Sequence, residues 1–407
     1  MKPIYPRLTT LISSLDAIPG ARRGDAYPEG DGPGGQLAEE IQRFQETSAV
    51  EVSSSPIFPA DDDDQAPDNG APGTPVFWFP DGVDSEEVVR QLAGANGNEY
   101  ERLSLLRGID AFGWYMGFHQ RQYQWGVYVP VTGVAAYAMQ ALAGVDISGE
   151  QKLNIAMRSI LAHERFHFAA EVGVAQLELA LQRPIYWPAR DNRTAWSEIL
   201  LVEEQLATAA QLRDVRFARD SASRAASRGV TEHSRLLPPG YRDGYKLVGS
   251  RHDFEGRMLD HGQAVWEAAL GAPPAYGFEM HHLYPAFRTY ELARCPVHVL
   301  MDQARYGLGN LPFFLISTVE ITEESTEFLK KLRKLPSYAR KKWDKTRNLL
   351  AQSTSTPGLD FNPWPPGGRD CFSVRVDRTL RAHLRFDSSL TRWLAESIGF
   401  HTEMGHG

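Results

Sequence analysis

Residues 148–182 read SGEQKLNIAMRSILAHERFHFAAEVGVAQLELALQ and predict one long helix. Ser148 is a suitable N-cap, because Gln151 follows three residues later as in a capping box. Pro184 ends the helix, since proline lacks an amide hydrogen and cannot continue it. The rest of the chain is interpreted outward from this helix.

The middle of the helix carries His163, Glu164 and His167. Residues i and i+4 share one helix face, so both imidazoles can bind one ion, and zinc favours imidazole nitrogen. Zinc lowers the pKa of a bound water to about 7, and Glu164 stands where its carboxylate can take the proton. The motif therefore predicts His163 and His167 as zinc ligands and Glu164 as general base.

A second long helix, predicted to begin after Asp191, carries Glu203 and Glu204 among apolar residues. Two buried carboxylates are costly unless their charge is compensated, and a zinc ion would compensate it. Either glutamate can supply the third ligand. Two histidines and one carboxylate leave the fourth zinc position open for water.

Residues 76–318 resemble the gluzincin peptidases, which have His-Glu-x-x-His on one helix and a ligating Glu on the next. Glu204 followed by Thr208 fits the family spacing better than Glu203 followed by Ala207. Thr208 departs from the Asp or Asn that the family more often has at this position. The resemblance implies a mainly helical zincin-like domain with a small sheet, which hydrolyses peptide bonds with His163, His167 and Glu204 on zinc.

Two further features of a peptidase are left open by the sequence. Trp125–Val129 predicts a strand, which either binds a substrate backbone along its edge or is an ordinary core strand. A donor to the oxyanion is also needed. The candidates by residue type are His252, His261, His281, His282, Tyr284 and His298.

Composition limits the class of protein. Residues 1–75 are rich in Gly, Pro and Asp and predict a largely disordered leader. No signal peptide or membrane span is expected, and two cysteines favour a cytoplasmic protein without a disulfide framework. The net charge is −8, yet residues 326–407 contain 15 Lys and Arg against 8 Asp and Glu. This asymmetry predicts a separate basic module, for which a polyanion partner is possible.

The basic module, residues 319–407, resembles the RelE/ParE superfamily of toxins. The likeness lies in the segments 328–336, 357–359, 372–381 and 398–404. It implies a small α+β domain with an antiparallel sheet packed on a helical pair. Active members cut mRNA on the ribosome, and Arg375, Arg381, Arg385 and His401 occupy the strands that correspond to their catalytic residues. Guanidinium groups suit this role, because they bind phosphate in bidentate fashion.

The sequence as a whole favours an α+β protein in which a zinc metallopeptidase precedes a RelE-like module. The expected partners are a peptide or protein substrate and, through the module, RNA, the ribosome or an antitoxin-like protein. An alternative is an mRNA endoribonuclease of the toxin–antitoxin type, in which the zinc domain is regulatory. A third hypothesis is a binding protein with neither activity.

Overall fold

The computed structural model shows a mixed α+β protein, which confirms the coarse fold class. The residues that it describes fall into two compact units, one made of residues 8–22 and 84–300 and the other of residues 75–83 and 313–405. With the gaps inside these units, the described residues are 8–22, 75–94, 97–120, 125–215, 221–273, 295–300, 313–352, 354, 359, 361–389 and 392–405.

Helices dominate the first unit. Two short 3₁₀ helices, Gly108–Ala111 and Tyr241–Leu247, lie among them. In chain order the α-helices are α1 Leu8–Leu15, α2 Ser85–Gly94, α3 Gly97–Arg107, α4 Val131–Leu142, α5 Gly149–Leu181, α6 Tyr186–Asp191, α7 Arg193–Val215, α8 Ser221–Ser234 and α9 Arg251–Leu270.

Helix α5 is the long helix that the sequence predicts. The amide of Gln151 donates to Ser148 Oγ at 3.2 Å and the amide of Ser148 donates to Gln151 Oε1 at 3.1 Å, so the capping box is confirmed. The helix ends at Leu181, and Gln182 follows in the left-handed conformation at φ 52°. Helix α7 packs along α5, and α9 packs against α7. These contacts bring the two motif-bearing helices side by side.

A three-stranded sheet accompanies these helices in the order β2, β3, β4, with bounds Trp114–Met116, Gly126–Pro130 and Val297–Leu300. Strand β3 pairs antiparallel with β2 and parallel with β4, and all of its residues are buried. Both edges of β3 are therefore occupied. The interpretation of Trp125–Val129 as a substrate-binding edge is wrong, and the alternative of a core strand is correct.

The predicted leader is partly ordered. Helix α1 packs on α5, and Leu11, Leu15 and Ile18 are buried. Arg22 Nε donates to the carbonyl of Phe118 at 3.0 Å. Burial of these apolar side chains offsets the entropy of ordering the segment. Residues 8–22 thus correct the expectation of disorder, whereas residues 1–7 and 23–74 lie outside the described part of the chain.

The second unit contains a two-stranded sheet of β1 and β5 and a five-stranded sheet in the order β6, β10, β9, β8, β7. In the larger sheet β6 runs parallel to β10, and every other pair is antiparallel. The elements are β1 Val76–Trp78, β5 Phe314–Ile316, β6 Ile321–Glu324, α10 Thr326–Lys334, α11 Tyr338–Gln352, β7 Asn362–Pro363, β8 Cys371–Arg375, β9 Leu380–Asp387 and β10 Arg392–Phe400.

The apolar faces of α10 and α11 belong to the core of this unit. Trp343 of α11 is fully buried, and its ring centroid lies 4.8 Å from that of Phe328 in α10.

The boundary between the units differs from the prediction at two strands. The sequence places the segments of β1 and β5 in the first domain, yet the two strands pair with each other in the second unit. Trp78 explains this placement, because its ring packs 5.1 Å from that of Phe386 in the core of the larger sheet. Among the described helices, none combines the length and the apolar character that crossing a membrane would require.

Candidate metal centre

Helix α5 places His163 and His167 one turn apart on the same face, with ring centroids 5.1 Å apart. His163 is fully buried, and 11% of the His167 side chain is exposed. Buried imidazoles need polar partners, because a buried polar group without a hydrogen bond or a ligand is costly. The partners come from helix α7 and from the 3₁₀ helix Gly108–Ala111.

Helix α7 presents its adjacent acidic residues Glu203 and Glu204 in different directions. Glu204 Oε2 lies 3.1 Å from His163 Nε2 and 3.5 Å from His167 Nε2. Glu203 Oε1 instead lies 2.7 Å from the other ring nitrogen of His167, Nδ1. The structure therefore brings Glu204 to the two Nε2 atoms, and Glu203 lies behind one of the histidines.

Asp110 is a fourth residue at this point, and no sequence motif marks it. Its Oδ1 atom lies 3.7 Å from His163 Nε2. One possible ligand atom from each of Asp110, His163, His167 and Glu204 lies within 4.8 Å of all the others. These four residues, called the metal group below, could hold a metal ion. Asp110 therefore reaches the site in addition to the three ligands that the sequence predicts.

Local structure explains how Asp110 is held. Gly108 adopts a positive φ of 61°, and a Cβ there would lie 2.5 Å from the ring of Tyr241. Tyr241 therefore packs closely over the 3₁₀ helix, and its hydroxyl donates to Asp110 Oδ2 at 3.2 Å. The same ring stacks on His163 with centroids 5.8 Å apart and an interplanar angle of 13°. Tyr241 is a second residue of the site that no sequence motif marks.

Several buried polar atoms around the metal group have no hydrogen bond of normal geometry within the described structure. They include Asp110 Oδ1, His163 Nδ1, His167 Nε2 and both carboxylate oxygens of Glu164. Each unsatisfied buried polar group costs about 1–3 kcal/mol, so a cluster of them in one place calls for an explanation. A cation bound at the metal group would satisfy Asp110 Oδ1 and His167 Nε2 directly. The residues present therefore fit a divalent metal ion.

The charge states of the cluster follow from burial. Burial lowers the pKa of His163 to about 4, so its ring is neutral and can offer a lone pair. Burial opposes ionisation of Glu204, but His167 and His163 outweigh it and lower the pKa of Glu204 to about 2. Burial raises the pKa of Glu164 well above its usual range, and the nearby charge of Asp110 adds to the effect. Glu164 is thus suited to holding a proton beside an ionised ligand carboxylate.

Thr208, which departs from the family pattern, makes no bond to either histidine, since its buried hydroxyl has no hydrogen-bond partner in the described structure. Glu203 orients a ligand histidine instead, and its second oxygen lies 3.0 Å from Nε2 of His261. His261 is therefore engaged behind the metal group rather than at it. Because its Nε2 atom is engaged with Glu203, His261 does not fit the role of a hydrogen-bond donor to the oxyanion.

The other predicted oxyanion donors also lack support from geometry. His252 has 98% of its side chain exposed. His298 stacks on Tyr128 and lies 3.4 Å from the carbonyl of Trp125. Three more candidates fall outside the described residues, namely His281, His282 and Tyr284.

A buried polar cluster holds the loop after β2 against helix α5. His119 Nδ1 lies 2.7 Å from Glu171 Oε1, and its Nε2 atom lies 2.9 Å from Glu178 Oε2. The hydroxyl of Tyr115, which belongs to β2, also donates to Glu171. The backbone amide of Tyr115 in turn approaches Glu164 and slightly lowers its pKa. The cluster therefore positions β2, an edge of the described sheet, next to the metal group.

In the second unit, Arg375, Arg381 and His401 lie at one end of the sheet, whereas Arg385 lies opposite Cys371 at the other end of the β8–β9 pairing. Arg375 of β8 and Arg381 of β9 are directly opposite in the strand register, and the amide of His401 donates to the carbonyl of Thr379 at 2.7 Å. Arg381 is only 6% exposed, and its guanidinium donates to the carbonyls of Asp377 and Leu380. Its position suits support of the hairpin better than contact with phosphate.

Arg385 is also engaged within the second unit. Its guanidinium donates to the carboxylates of Asp370 and Glu396 and to the carbonyl of Gly367. The two acids raise the pKa of Arg385 further above its ordinary value. These contacts occupy guanidinium N–H groups of Arg385 that would otherwise be available to donate to a bound phosphate.

Comparison of the chain with protein-family models, with curated proteins and with solved structures finds no match. Function must therefore be inferred from the chemistry of the two units themselves.

Proposed function

We propose that the first unit is a zinc-dependent peptidase of gluzincin-like design. The observation that carries this proposal is the convergence of ligand atoms from Asp110, His163, His167 and Glu204 next to the unsatisfied carboxylate of Glu164. Imidazole and carboxylate are the ligands that zinc takes in catalytic sites, and no cysteine stands among them. His163, His167 and Glu204 would hold the metal and leave a position for water, and Asp110 lies beside these three residues.

Bound zinc would supply an acidified water and polarise the carbonyl of the scissile peptide bond. Glu164, next to the ligand His163 on α5, would act as general base toward that water and return the proton to the leaving amine. Tyr241 stacks on His163, and its hydroxyl, which donates to Asp110 in this structure, would donate to the developing oxyanion once substrate is bound. Peptide recognition by β-addition requires a strand at the edge of a sheet. Strand β2, which is an edge of the described sheet, would therefore receive the substrate as an added strand.

The peptidase proposal is tested by digestion. The purified protein is incubated with a mixture of unfolded proteins, and new termini are identified by mass spectrometry. We expect cleavage that a chelator abolishes and that added zinc restores. Absence of cleavage by zinc-loaded protein across such a mixture would contradict the proposal.

For the second unit we propose RNA binding without cleavage. Helices α10 and α11 carry five exposed cations for which no ion pair is described, namely Lys330, Arg333, Lys334, Lys341 and Lys345. Such a concentration of charge suits a polyanion. Because Arg381 and Arg385 are engaged internally, binding is better supported than the alternative of an mRNA endoribonuclease.

RNA binding is tested with fluorescence anisotropy of a labelled single-stranded RNA at several salt concentrations. Replacing Lys330, Arg333 and Lys334 with Glu should weaken binding and reduce the slope of log affinity against log salt by about 2. An unchanged slope would contradict the proposed surface. Equal binding of polyglutamate would replace RNA with an acidic protein as the partner.

A further inference from the structure

Glu203 lies between two histidines that come from two different helices. Its Oε1 atom lies 2.7 Å from His167 Nδ1 on α5, and its Oε2 atom lies 3.0 Å from His261 Nε2 on α9. His261 is 1% exposed, and 13% of the Glu203 side chain is exposed. The carboxylate is thus removed from most solvent and accepts a hydrogen bond at each oxygen.

The hydrogen bond between His167 and Glu203 decides which nitrogen of His167 faces the metal group. A carboxylate can only accept, so Nδ1 of His167 must carry the hydrogen that it donates. In the neutral ring that a metal would bind, the lone pair therefore lies on Nε2, the atom that is 3.5 Å from Glu204 Oε2. A ligand histidine whose other nitrogen donates to a carboxylate is fixed in tautomer and orientation and is more basic toward a metal.

The position of His261 is itself set by packing. Met258 and Val265 lie three residues before it and four residues after it on α9, and both are buried. Met258 belongs to the apolar cluster that joins α9 to Phe166 of α5 and Leu206 of α7. His261 therefore projects toward Glu203 from a helix held in place on both sides. Rigid placement is what a group needs in order to orient another side chain.

We infer that Glu203 and His261 are positioning residues, which hold His167 with Nε2 directed at the metal and so raise the affinity for zinc. His261 acts through Glu203, because its bond to the carboxylate limits the directions that the carboxylate can take. Glu203 is thus a functional residue beside the ligand Glu204, and the pair of acids is explained by two separate roles. This inference rests on the proposed function, because it assumes zinc at the metal group.

The test measures the zinc dissociation constant by competition with a chromogenic chelator, and thermal unfolding of the metal-free variants shows whether the fold is kept. Glu203→Gln should weaken zinc binding about 10- to 100-fold. Glu198→Gln, which removes the same charge from an exposed position of α7, is the matched control and should bind zinc like the wild type.

His261 is tested in the same assay. His261→Leu should weaken binding on its own, yet add nothing in the Glu203→Gln background, since it acts through that carboxylate. His261→Gln retains an amide donor and should restore most of the affinity.

Wild-type affinity in Glu203→Gln, or losses that simply multiply in the double variant, would overturn the inference while leaving the zinc site intact. Wild-type protein that binds no zinc would instead overturn the proposed function.

Discussion

His163 Nε2 lies 3.1 Å from Glu204 Oε2, although 41 residues separate them along the chain. The contact exists because α5 and α7 pack side by side with their polar residues facing each other inside an apolar surrounding. Burying these polar side chains together costs free energy when no ion compensates them, and it becomes favourable around a bound cation. The predictions below follow from this contact and from the groups that surround it.

Glu164→Gln should abolish peptide hydrolysis and leave zinc binding nearly unchanged. The amide keeps the size of the side chain but cannot take a proton, and loss of a general base costs about 10²- to 10⁴-fold in rate. Rates of cleavage and zinc content are measured on the same sample, with Glu198→Gln as control. Activity within a few fold of the wild type would show that Glu164 is not the base.

Tyr241→Phe should retain zinc and reduce kcat about 10²-fold, with a small change in KM. The hydroxyl is the donor proposed for the oxyanion, and removal of one such donor has an effect of this size. Tyr245→Phe is the matched control, because Tyr245 lies on the same 3₁₀ helix and its side chain is partly exposed. A larger loss of zinc than of kcat would assign Tyr241 to holding Asp110 instead.

The predicted parts of the site are those that depend on local spacing. His163, Glu164 and His167 share one helix, and helical geometry fixes their relation before any tertiary contact is known. The capping box at Ser148 is equally local. Resemblance to a known family then selected Glu204, which the structure brings to the histidines.

The missed parts depend on contacts between distant segments. Asp110 and Tyr241 come from two short 3₁₀ helices with no motif, and they meet only because Gly108 leaves room for an aromatic ring. The pairing of β1 with β5 is also non-local, so composition placed both strands in the wrong unit. The periodicity of apolar residues along the chain carries no information about contacts between segments that are distant in sequence.

The stability of the first unit should fall as pH rises from about 6.5 to about 9, and His119 is the cause. Burial alone would lower its pKa, but the hydrogen bonds and charges of Glu171 and Glu178 raise it from 6.5 to about 9. A raised pKa means that the folded state binds the proton more tightly than the unfolded state. The stabilisation is therefore complete below pH 6.5 and lost as pH rises through 9.

The size of this effect follows from the shift, since one pKa unit corresponds to about 1.4 kcal/mol. We expect wild-type protein to lose about 3 kcal/mol more than His119→Gln over this interval. The measurement is the free energy of unfolding in urea at a series of pH values. Parallel curves for the two proteins would contradict the role given to His119.

The zinc site itself is tested most directly by elemental analysis of purified, zinc-reconstituted protein. About one zinc per chain is expected in the wild type and in Glu198→Gln, and almost none in His163→Ala and Glu204→Ala. Thermal unfolding of the metal-free variants shows whether they still fold. Wild-type protein without zinc after reconstitution, or folded ligand variants that keep it, would contradict the proposal of a zinc peptidase.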